Sequence, residues 1–121
     1  MSGLGDFFVE GGWGMYPTLV FGVMTVGGAV WFAVKPEPRR LAFTAAMWLT
    51  LVSAIVHATW TDLAAVMAYL EDPAKTPDGA IARTLVTGLK ESTRPGALGG
   101  TFLTLALLIV AIGALRAPRR D

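Results

Sequence analysis

The sequence predicts an all-α integral membrane protein with three transmembrane helices, its N-terminus outside and its C-terminus in the cytoplasm, and three observations carry that expectation. Hydrophobic residues fill 54% of the 121 positions and charged ones 16%, with a mean hydropathy of +0.56, which is too apolar for a soluble domain of this size. Three uncharged stretches, 17–34, 41–61 and 95–115, have about the 20 residues a helix needs to cross a hydrocarbon core of about 30 Å. Lysine and arginine then gather on one side of those stretches, as the positive-inside rule requires.

The first span is expected over 17–34, although the uncharged run already begins at Gly11. Pro17 sits at its start, where a missing N–H costs nothing. Residues 1–16 contain Asp6 and Glu10 but no basic side chain, so they lack the n-region of a signal peptide and the span is expected to be retained. A short cytoplasmic turn follows, with Lys35, Arg39 and Arg40. The second span is expected over 41–61. Trp13, Tyr16 and Trp60 fall at the outer interface and Trp31 near the inner one, as amphipathic rings prefer.

The segment 62–94 mixes five acidic with four basic residues and is extracytoplasmic by alternation. Ala64 to Leu70 extends the second helix to Asp72-Pro73, where the residue before proline is pushed out of helical geometry. Lys75-Thr76-Pro77-Asp78-Gly79 reads as a turn. From Ile81, the spacing of Ile81, Leu85 and Leu89 predicts a short amphipathic helix on the membrane surface. The third span, 95–115, opens with Pro95 and is followed by Arg116, Arg119 and Arg120, which places this end in the cytoplasm. The whole is read as one membrane domain.

Composition also excludes. A net charge of +1 without a basic run gives no footprint for nucleic acid. The absence of cysteine removes disulfides, iron–sulfur clusters and thiolate zinc sites. No nucleophile–base arrangement, paired carboxylates, phosphate loop or zinc-protease pattern is present, so no enzyme, bound cofactor or metal site is expected.

In lipid, helices associate through small residues and interhelical hydrogen bonds, so small and polar positions are the informative ones. On the second span Ala46, Thr50, Ser53, His57, Thr61 and Ala64 recur every three or four residues along one stripe. On the third, Gly96, Gly100 and Thr104 form a small-residue ridge that Leu108 ends, and the first offers Thr18, Gly22, Gly27 and Gly28. These are faces for helix packing or the lining of a pathway. His57 is the one titratable side chain within the spans. It reads either as a proton relay or axial metal ligand, with Met24 or Met47 as a second haem ligand, or as a hydrogen bond between helices. Glu91, three residues before Arg94, either packs against a neighbouring subunit or faces water.

The run Phe7-Phe8-Val9-Glu10-Gly11-Gly12-Trp13-Gly14-Met15-Tyr16-Pro17-Thr18-Leu19 resembles the lead-in to the first span in the MotA/TolQ/ExbB proton-channel family. There Gly11 and Gly12 turn the chain, Tyr16 of the Met15-Tyr16-Pro17 motif anchors it at the interface and Pro17 begins the helix. Leu85-Val86-Thr87-Gly88-Leu89-Lys90-Glu91-Ser92 is similar to the family's stretch ahead of its last span. The chain departs from the family in its tight turn at 35–40, where ExbB-type members have a large cytoplasmic part, and in a second span without glycine.

The resemblance implies an inner-membrane subunit of a bacterium, forming a closed ring of about five copies around a single-span ExbD/TolR-like partner whose aspartate supplies the titratable carboxylate. It implies proton-gradient-coupled work, with Thr50, Thr59, Thr101 and Thr104 of the last two spans lining the channel. The departures point instead to a non-conducting accessory subunit in a larger membrane complex. A haem-bearing subunit through His57 is a third reading.

Overall fold

The computed structural model describes residues 14–118; Gly11 and Gly12, and the rest of the family-like run before Gly14, lie outside the described residues. The described residues form four helices, α1 (Met15–Val34), α2 (Pro38–Glu71), α3 (Ile81–Ser92) and α4 (Arg94–Arg116), with a 3-10 turn at Asp78–Ala80. No strand occurs among the described residues. Three helical segments are long and apolar enough to cross a bilayer, and the protein is an all-α membrane protein.

Prolines set the helix boundaries. Lys35, Glu37 and Asp72 each precede a proline and each is extended, at φ −141°, −132° and −89°, because the proline ring crowds the helical conformation of its predecessor. Pro38 opens α2, three residues before the expected boundary, since proline at the first helical position sacrifices no hydrogen bond. The α1–α2 turn is closed by Arg40. Its Nη1 donates to the Trp31 carbonyl at 2.8 Å, and its guanidinium stacks 4.7 Å from the centre of the Trp31 ring. Glu37 lies within ion-pair distance of Lys35 and Arg40. A cation thus sits on the carbonyl end of α1, where the helix dipole favours it.

Packing depends on missing side chains. Helix α1 packs along both α2 and α4. The Phe102 ring of α4 fills the space a Cβ at Gly22 would occupy. A Cβ at Gly113 would stand 2.8 Å from the Phe32 ring and 2.9 Å from Ala33 Cα. Close backbone approach of this kind is how helices gain contact where greasy surface alone gives no advantage. Besides the Arg40 bond, among the described residues two more side-chain bonds cross between helices: the Thr25 hydroxyl, which also donates to the Phe21 carbonyl of its own helix at 2.6 Å, donates to the Met47 carbonyl at 3.1 Å, and Trp48 Nε1 donates to the Leu103 carbonyl at 3.2 Å.

Helix α2 is 34 residues long, a rod of about 50 Å against a core of about 30 Å. Its last turns, beyond the 41–61 span, pair with α3. The opposed pairs Trp48/Leu103, Ile55/Gly99 and Val66/Gly88 run in opposite directions along the chain, so α3 and α4 together lie antiparallel to α2. Thr93, at φ −84° and ψ −9°, stays close to helical where α3 passes into α4. Helix α3 therefore stands against α2 as the second arm of a hairpin, which corrects the expectation that it lies flat on the membrane surface. Gly88 is the reason: a Cβ there would be 2.6 Å from a Val66 methyl, so only glycine lets the arms close. At the tip, Thr76 is buried and its hydroxyl donates to the Tyr69 carbonyl at 2.9 Å, capping α2 after its last full turn.

Candidate functional site: a polar flank of α2

Steps of three or four residues keep side chains on one flank of a helix, and the structure brings Thr50, Ser53 and His57 together as that spacing requires. With Thr61 and Asp62 they form one wall of a cleft of about 240 Å³, whose other wall is Gly14, just ahead of α1, with Pro17 and Phe21 of α1. Thr50, Ser53 and His57 are all exposed. Of the family-like residues, Pro17 lines this cleft, Met15 is fully buried, and Tyr16 is 60% exposed beside it in sequence.

The two threonine hydroxyls are already committed as donors. Thr50 donates to the Ala46 carbonyl at 2.8 Å and Thr61 to the His57 carbonyl at 2.6 Å. Such back-bonding removes the need for an outside acceptor in lipid and leaves the hydroxyl oxygen presented to the cleft as an acceptor. Among the described residues no methionine lines the cleft with His57, and Met24 and Met47 are not part of its lining. Among the described residues, no group of three or more His, Cys, Asp or Glu side chains converges as a metal set.

The other expected positions fall on separate surfaces. Thr59 lies two residues from His57, about 200° around the helix, and is half-buried and outside the cleft. Thr101 and Thr104 are exposed on α4, where they border a shallow depression with Gly100 and Leu105. Thr101 donates to its own helix at Ala97, 3.0 Å away. A Cβ at Gly100 would meet nothing within 4 Å, and one at Gly96 only an Ile55 methyl at 4.0 Å. The tight contact within the chain is made one residue away, by Gly99, against Ile55 and Thr18. One copy thus presents two distinct polar faces, one on α2 and one on α4.

Asp62 was not singled out from the sequence. It lies just past the second span and lines two clefts, the one above and a larger one of about 610 Å³ between the end of α2 and α3, bordered by Tyr69, Arg83, Thr87 and Glu91. Its Oδ2 is buried without a hydrogen-bond partner. Burial first, and the Glu91 carboxylate second, push its carboxyl above the ordinary value. The signal in the sequence was its position, as the first charge after Leu41–Thr61 and one residue beyond the Thr50/Ser53/His57/Thr61 stripe.

No protein-family model, curated protein or solved structure matches the chain.

Proposed function

We propose that the chain is an assembling membrane subunit of the ExbB/TolQ kind. Copies associate laterally into a ring around a partner's transmembrane helix, the polar flank of α2 faces into the assembly, and the complex contributes to proton-gradient-coupled work in a bacterial inner membrane. In that orientation the α2–α3 hairpin is extracytoplasmic. The observation that carries this reading is the exposure of Thr50, Ser53 and His57 at the depth of the second span. Polar side chains on a transmembrane helix are concentrated where another helix or a water-filled path meets them, and among the described residues no helix covers these three, which stay exposed in the cleft.

A second reading, a non-conducting accessory subunit, is favoured by a different observation. The hydroxyls of Thr50, Thr61 and Thr101 bond to their own helices, and the α2 and α4 faces do not converge on one path within a copy. Native mass spectrometry in a mild detergent, followed by proton flux in liposomes, separates the two. The ring reading expects a closed homo-oligomer of about five copies, with flux changed by Thr50→Val and His57→Ala. A single copy among unlike chains, with assembly altered and no flux to change, establishes the accessory reading in its place.

A further inference from the structure

Among the described residues, Asp62 is the one that borders both clefts. The larger cleft is shaped by the antiparallel approach of α2 and α3 at Val66/Gly88, and there Asp62 shares the space with Glu91, one turn from the α3–α4 junction. The smaller cleft leads from Asp62 along Thr61 to His57 and Ser53. One Asp62 oxygen is shut off from water and accepts no hydrogen bond. An ionised carboxylate is poorly served there, because its charge has lost hydration and gained no donor in exchange.

The other groups around it do not supply one. On α3, Arg83 borders the same cleft, yet no ion pair joins it to Asp62 among the described residues, and Glu91 adds a like charge. On α2 the titratable neighbours are His57 in one cleft and Tyr69 in the other. The described residues that face it from α1 and its start, Gly14, Pro17 and Phe21, carry no charge. Arg94 opens α4 and lines neither cleft.

We propose that Asp62, with Glu91 facing it across the hairpin, is a proton-binding site at the end of the polar flank, reached by water through the larger cleft and opening toward His57 through the smaller. A proton bound to Asp62 removes the charge from the oxygen that is shut off from water and ends its repulsion with the carboxylate that borders the same cleft. The site deepens the proton-coupled reading and rests on it for its use, but its chemistry belongs to one copy of the chain and does not require a ring.

The test is a carboxyl titration by NMR on the full chain in lipid nanodiscs, with ¹³C-labelled aspartate and glutamate. The Asp62 resonance is identified by its loss in Asp62→Asn. The expected result is an Asp62 midpoint above the ordinary carboxylate value, moved downward in Glu91→Gln, a substitution that keeps size and removes charge. An Asp62 midpoint at or below the ordinary value, or one that Glu91→Gln leaves in place, overturns the site. The carboxylic C=O infrared band, followed against pH in Asp62→Glu, gives a second reading on a variant that retains the acid: it should appear at a pH above the ordinary range, and its absence there counts equally against the site. Mass of the assembly is read separately, so a monomer with a shifted Asp62 sinks the ring and keeps the proton site, whereas a ring with an unshifted Asp62 does the reverse.

Discussion

The buried oxygen of Asp62 has a consequence for stability as well as for proton binding. Desolvation and the nearby Glu91 raise this carboxyl in the folded chain, while in the unfolded chain it returns to its ordinary value. Between those two values the folded state holds a proton that the unfolded state has released, so the free energy of unfolding falls as pH rises across that window. The stabilising contribution is complete below the ordinary value and is gone once pH passes the raised one. The hairpin that encloses Asp62 is the part that should respond. Amide hydrogen exchange across residues 81–92, corrected for its intrinsic pH dependence, is expected to quicken as pH climbs through the window. Asp62→Asn, which is neutral throughout, should flatten that dependence and leave the hairpin the more protected at neutral pH. A pH slope that persists in Asp62→Asn assigns it to another group.

Helices α2 and α3 are held as a hairpin by a contact that a single methyl group would obstruct. Val66 is β-branched and stiff in a helix, so the 2.6 Å approach to a Cβ at Gly88 cannot be relieved by a simple rotamer change. Gly88→Ala should therefore part the arms at a cost of about 1–3 kcal/mol, seen as faster amide exchange over 81–92 with α1 unaffected. Val66→Ala in the same chain should recover part of the loss; equal exchange in the single and double variants would show that the contact does not hold the arms. This pair also marks the limit of what the sequence disclosed. The three spans were legible because length and absence of charge are properties of a stretch read by itself, and Lys35-Pro36, Glu37-Pro38 and Asp72-Pro73 announce helix ends through local sterics. The stripe of Thr50, Ser53 and His57 was legible because it needs only the helical period. The direction of α3 was not, since the spacing of Ile81, Leu85 and Leu89 defines an apolar face without saying what that face lies against. Asp62 escaped notice for a related reason: its distinction comes from Glu91, a residue 29 positions away that only the hairpin brings near.

At the scale of the molecule, the two polar faces bear on how copies would meet in the proposed ring. A ring closes through a heterologous contact, in which one surface of a copy meets a different surface of the next, whereas a two-fold dimer apposes the same surface to itself. The α2 flank and the Gly100/Thr101/Thr104 face of α4 are two such different surfaces, and Gly100 has open space before it. Because the chain has no cysteine, crosslinking can test this without removing any background thiol. A disulfide forms only when the two Cα atoms come within about 7 Å. In the ring arrangement, Ser53→Cys or Thr104→Cys alone should stay monomeric under oxidation, because each meets a different residue on its neighbour. The double variant Ser53→Cys/Thr104→Cys should give a ladder of covalent species that ends at the ring size on a denaturing gel. Dimers from Ser53→Cys alone would instead establish a two-fold contact through the α2 flank. An absence of crosslinks in all three variants would count against a contact between copies at these positions.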